Sequence, residues 1–161
     1  DSHDTARFRT VVLGDKKAHL SAMTMMLSYP GVPSIFAGDE IGLEGSWGED
    51  ARRTINWEDR SNWDIEFMNE VKKLVTLRRS QDALVNGGLR WVCAEDDYLL
   101  YLRESKKQNL LILISRGAIN ATIDLRQYGY RVNKTLYGNE VEGDLFSIKS
   151  DCAIQGIWEL K

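Results

Sequence analysis

The sequence predicts an α+β chain in two unlike halves: helices with one buried strand over residues 1–86, then an antiparallel β-sandwich over residues 87–161. Three observations carry this reading. Two windows, from Lys16 to Ser28 and from Ile65 to Arg79, repeat apolar residues at three and four positions, the period of a helix. The second half holds strand-length runs rich in β-branched and aromatic residues: LRWVCA, YLLYLR, NLLILIS, ATIDLR, NKTLYG, LFSIK and AIQGIWEL. Polar pieces such as EDD, ESKKQ and NEVEGD separate them, the spacing of a sandwich or barrel. Asn86, Gly87 and Gly88 break the pattern between the halves.

Taken in order, Asp15 is a helix N-cap, and Leu20, Ala22, Met23, Met26 and Leu27 give the following helix a wide apolar face. Met23, Met25 and Met26 read as packing residues rather than a cofactor site. After YPG, the nearly all-apolar run VPSIFA fits a strand covered on both faces, as in a parallel sheet. A polar loop from Gly38 to about Asn62 follows, and loops longer than about 15 residues are often functional. Ser61 and Asp64 have the S-x-x-D spacing of a helix start. Ile65, Met68, Val71, Leu74 and Val75 then form the apolar stripe, with Glu66, Lys72, Lys73 and Arg78 on the polar face.

The formal net charge is −3 with acids and bases interspersed, so no basic face points to nucleic acid or anionic lipid. The longest apolar runs are far shorter than the ~20 residues of a membrane span, and no membrane partner is expected. Cys93 and Cys152 are too few for a disulfide framework or a zinc site and read as ordinary buried thiols, with a bond between them left open. No phosphate loop, metal cluster or cofactor signature appears, so none is expected. The opening DSHDTARFRT has neither an initiator Met nor a signal-like segment, which suggests a chain that starts inside a longer protein.

Three local words carry a family resemblance. SHDTARF resembles the fourth conserved segment of the α-amylase family, glycoside hydrolase family thirteen, where a barrel strand ends in Asn- or Ser-His-Asp. GVPSIFAGDEIGLEG is similar to that family's eighth barrel strand, although Phe36-Ala37 stands where many members have two Tyr. GEDARRTINWED resembles the loop that follows in cyclomaltodextrinases, neopullulanases and maltodextrin glucosidases, and VKKLVTLRRSQDAL their last barrel helix. The resemblance implies the end of a (β/α)₈ TIM barrel, its last one to two strands and last two helices, followed by a Greek-key β-sandwich C-terminal domain. It implies a retaining glycosidase or transglycosylase acting on α-glucosidic bonds of maltodextrins, starch or cyclodextrins. A cytoplasmic location is slightly favoured by the same resemblance.

Retaining hydrolysis uses two carboxyl groups about 5 to 5.5 Å apart. The resemblance implies that both lie on earlier strands, outside this chain, so the chain alone is expected to be inactive. Asp4 then matches the family's third carboxylate, which stabilises the oxocarbenium-like transition state by binding hydroxyls of the distorted ring, and His3 matches a ligand of that ring. Taken as a bare dipeptide, His3-Asp4 reads as a capped turn, and it is the two downstream words in register that favour catalysis. Arg52 matches an Arg that reaches bound glucan, while Arg53 either does the same or anchors the loop on Asp50 or Glu58. Asp39 and Glu40 lean towards a structural role.

Trp47, in a polar loop, is expected to be a sugar-stacking platform; Trp57, Trp91 and Trp158 are expected to be buried. The expected partners are an α-glucan oligosaccharide and the remainder of the TIM barrel. Because the Lys16 helix and the VPSIFA run are patterned for burial on two sides, self-association or disorder is expected before about Ser61. The alternative reading is a non-catalytic β-sandwich that binds carbohydrate or stabilises a neighbouring domain.

Overall fold

The computed structural model describes residues 1–161. Helix α1 (Phe8–Val11) leads into α2 (Lys16–Ser28), and α3 (Ile65–Ser80) is followed by α4 (Asp82–Asn86). Asp15 caps α2 as expected, its carboxylate accepting from the backbone N–H groups of Lys17 at 2.9 Å and Ala18 at 3.1 Å. The cap of α3 is Asp64 rather than Ser61: Asp64 accepts from the Phe67 N–H at 3.2 Å. Ser61 instead belongs to the preceding turn, its own N–H bonded to Asp59.

Seven strands follow in the expected places: β1 (Gly88–Ala94), β2 (Tyr98–Glu104), β3 (Asn109–Ser115), β4 (Ile119–Asp124), β5 (Val132–Tyr137), β6 (Leu145–Ser150) and β7 (Gln155–Leu160). A five-stranded sheet in the order β1-β2-β3-β7-β5 faces a two-stranded sheet of β4 and β6, and every pairing is antiparallel. Strands β2 and β3 read as unbroken apolar runs because both of their faces are covered. Leu100, Leu102, Leu111 and Leu113 point into the sandwich with Trp158, Phe146 and Ile148. The alternate residues Tyr101, Leu110, Ile112 and Ile114 meet Leu27, Leu74, Ala83 and Leu84 of the helices. Gly156 is required by this packing, since a Cβ there would fall 2.2 Å from the Trp158 ring.

Residues 32–37 form no ladder, contrary to the expected strand. A strand needs another strand alongside it, and here the run packs against helices instead, with Ile35 on the cluster of Met23, Phe67 and Val71, away from any sheet edge. Arg78 is also not on a polar face: it is buried and donates to the carbonyls of Leu27 in the last turn of α2 and of Tyr29 and Gly31 just past its end. Arg103 reaches the same helix end from β2, donating to the carbonyls of Ser28, Leu84, Gly87 and Gly88. Two guanidinium groups thereby satisfy the orphan carbonyls that close a helix, where positive charge also suits the helix dipole.

Of the expected core Trp residues, Trp158 is fully buried, but Trp91 is 45% and Trp57 63% exposed. Trp91 stands on edge strand β1 beside a bulge, with Tyr101 against it edge-on at 5.4 Å. Trp57 meets Trp63 edge-on at 5.5 Å on a loop whose other side is solvent. Cys93 and Cys152 are half-buried and unbonded, which corrects the expectation of buried thiols. Cys152 lies 3.2 Å from the Lys17 ammonium, and the Ser150 hydroxyl and that charge lower its pKa. No helix is long and apolar enough to cross a membrane.

Candidate active site

Ser2 to Thr5 form a turn, with the Thr5 N–H bonded to the Ser2 carbonyl and the Asp4 N–H to the Ser2 hydroxyl. The turn presents His3 and Asp4 to solvent with the imidazole Nε2 3.2 Å from Asp4 Oδ2. Arg52 comes to the same place from the far side of the long loop, on a 3₁₀ turn spanning Gly48–Arg52. Its Nε donates to the His3 carbonyl at 3.0 Å, and its Nη2 lies 3.7 Å from Asp4 Oδ1. A third nitrogen is held by Glu49 at 2.9 Å.

Three of the four expected site residues are therefore clustered although 48 residues separate Asp4 from Arg52. The fourth, Trp47, caps the 3₁₀ turn and is exposed, without a hydrogen bond to the others. Such a cluster offers an acidic acceptor, an imidazole and a guanidinium on one open surface, which suits hydroxyl groups of a sugar. Arg53 turns away and pairs with Asp50 at 2.6 Å, the anchoring role.

The residue that builds the cluster is Arg7, which sequence reading left unassigned. Its buried guanidinium donates to the Ala51 carbonyl at 2.9 Å, the Ala37 carbonyl at 3.0 Å and Asp39 Oδ1 at 3.0 Å, and it lies over the Phe36 ring at 4.0 Å. One side chain thus joins SHDTARF, SIFAGDE and GEDAR. The only signal for it was an Arg at a fixed distance from Asp4 in a word otherwise read for its acid. Asp39 has the structural role expected: burial raises its pKa, and the Arg7 hydrogen bond works against that rise. Glu40 accepts from the Gly38 N–H at 2.8 Å, again a backbone role.

A second buried guanidinium supports the floor. Arg9 donates to His19 Nδ1 at 3.1 Å and pairs with Asp64 at 3.1 Å, over the Phe67 ring. Burial and the Arg9 charge push the His19 pKa down to about 4, so the ring is neutral with Nδ1 as acceptor. No group of three or more His, Cys, Asp or Glu side chains is placed to hold a metal ion.

The family described as "Alpha amylase, catalytic domain" matches residues 1–82, which hold the whole of this cluster and its Arg7 anchor. The chain belongs to the α-amylase family. Among α-amylase family relatives, a cyclomaltodextrinase of Bacillus sp. is 31% identical over 125 residues, 76% of this chain and 22% of that protein. An intracellular maltogenic amylase of Bacillus subtilis strain 168 is 30% identical over 141 residues, 84% of this chain and 24% of that protein. The solved debranching enzyme of Nostoc punctiforme, soaked with acarbose, superposes with a TM-score of 0.82 at 30% identity, covering 99% of this chain and 32% of that one. The α-amylase family chain described here thus spans about a quarter to a third of the length of such proteins, and its likeness to the solved structure extends through the β-sandwich as well as the helical half.

Proposed function

We propose that this chain is the C-terminal part of an α-glucan-acting glycoside hydrolase or transglycosylase that works with retention, in which residues 1–86 complete the catalytic barrel and residues 87–161 form the trailing β domain. The observation that carries this reading is the meeting of His3 and Asp4 with Arg52, residues from two separate family words, on one open surface. The names of the relatives, a cyclomaltodextrinase and a maltogenic amylase, support maltodextrins and cyclodextrins as the substrate class. The intracellular relative supports a cytoplasmic location.

In this reading Asp4 binds ring hydroxyls more strongly as positive charge develops on the sugar, which is the differential binding that lowers a barrier. Arg52 is a positioning group that holds the His3 backbone and the Asp4 carboxylate, and Trp47 offers an indole face to a neighbouring sugar. The nucleophile and the acid come from outside the chain, so the isolated chain hydrolyses nothing. In the intact enzyme, Asp4→Asn is expected to cut kcat by a factor of order 10³ on a maltodextrin or cyclodextrin while leaving the fold unchanged. Activity within a few-fold of the unsubstituted enzyme would remove Asp4 from the catalytic set.

The sandwich itself supports a stabilising role rather than an independent sugar-binding one. Its fully buried Trp158 packs against Phe146, and Trp91 stands alone at a sheet edge, so the strands carry no row of exposed aromatics.

A further inference from the structure

Arg9 Nη2 is the one buried side-chain nitrogen or oxygen in the molecule without a hydrogen-bond partner. The Arg9 side chain is 5% exposed, and its other nitrogens are committed to His19 and Asp64. Leaving such a donor unpaired is costly, more so when it is charged. Nη2 faces Gly42, where an added Cβ would fall only 2.7 Å away. Gly42 in turn lines a groove of about 490 Å³ between the long loop and the start of α3, within the size range of small-molecule sites. None of His3, Asp4, Arg52 or Trp47 lines this groove, so it is separate from the candidate active site.

The wall chemistry selects a ligand class. Glu44, Asp59 and Asp64 disfavour an anion, while Arg9 and Arg53 disfavour a metal cation. Asn56 and Asn62 add both donors and acceptors, and half-buried Trp63, met edge-on by Trp57 and with the Arg60 guanidinium over its ring at 4.9 Å, supplies an aromatic surface. A neutral, hydroxyl-rich ring with one apolar face satisfies all of these groups: a hydroxyl accepts from Arg9, others donate to the carboxylates, and the C–H face lies on the indole. We propose that this groove is a second carbohydrate site, which binds a short neutral α-glucan segment beside the catalytic surface. The choice of α-glucan over other sugars rests on the function proposed above, whereas the preference for a neutral polyhydroxyl ligand stands on the groove alone.

The test is a titration of the chain with maltotriose, following the ¹⁵N-labelled indole signals of Trp57 and Trp63. Saturable shifts at both are expected. Asn62→Ala, at an exposed position, and Trp63→Leu, read at Trp57, are each expected to weaken binding by about tenfold. Asp4→Asn is expected to leave the response intact, which separates this groove from the catalytic cluster. Absence of saturable shifts, shifts that Asn62→Ala and Trp63→Leu leave unchanged, shifts lost in Asp4→Asn, or an equal response to sulfate would each overturn the proposal. Such failure would leave the kinetic test of Asp4 standing, because that test reads kcat and not this groove.

Discussion

His19 shows how one side chain couples the fold to pH. The ring is buried between Phe8 and Phe67, at centroid distances of 5.6 and 4.5 Å, and accepts a hydrogen bond from Arg9, so protonation would place two positive charges together. Its pKa falls from 6.5 to about 4 in the folded protein. A base depressed in this way gives its full stability above the unfolded value, and that stability is lost as pH drops through the interval between the two, because the unfolded chain then binds the extra proton. The loss approaches roughly 3 kcal/mol at the acid end, at about 1.4 kcal/mol per pKa unit. Urea unfolding at pH 7 and pH 5 is therefore expected to show a lower midpoint at pH 5, and His19→Asn is expected to flatten that difference. An unchanged pH dependence in the variant would assign the effect to another group.

At the scale of elements, the end of α2 is the joint between the helical half and the sandwich. Arg103 crosses from β2 with a fully buried fork that reaches carbonyls in α2, in α4 and in the link before β1. Replacement by Met keeps the apolar stem but abandons those carbonyls, and is expected to cost about 3 kcal/mol in urea unfolding. Arg103→Lys is expected to recover little, because an ammonium cannot span the same fork of acceptors. A loss below about 0.5 kcal/mol in Arg103→Met, the level of an ordinary surface change, would show that water replaces the guanidinium there. Pattern alone made the two long helices, α2 and α3, and the seven strands of the sandwich legible, since each rests on a local run or period of apolar residues. It misread Arg78 as a surface residue because a guanidinium on a helix is normally solvated, and only the approach of the α2 terminus supplies the carbonyls that make its burial favourable.

For the molecule as a whole, the surface of the helical half is the unusual feature. Leu13 and Val32 are 95% and 96% exposed, with Val11 and Tyr29 also open to solvent. Leu13 is also the one non-glycine residue with a positive φ, at 54°, a costly conformation for a branched apolar side chain. Apolar residues of this kind gathered in one half favour association. The isolated chain is expected to self-associate on size-exclusion chromatography in a concentration-dependent way, and Leu13→Lys with Val32→Lys is expected to shift it towards monomer. A compact monomer with amides protected from Asp1 to Gly38 would sink this expectation.

By itself the sequence determined the division into helices and strands and the family words that hold His3, Asp4 and Arg52. These are local properties, carried by spacing within some ten to twenty residues. The tertiary structure alone decided that Arg52 reaches His3 and Asp4, that Arg7 binds three words into one knot, and that Arg9 keeps an unpaired donor beneath a polar groove. It also decided that Trp57 and Trp91 are exposed while Trp158 is not. Burial and pairing depend on which elements meet across dozens of residues, and an aromatic or charged residue has the same local pattern whether or not another element arrives to cover it.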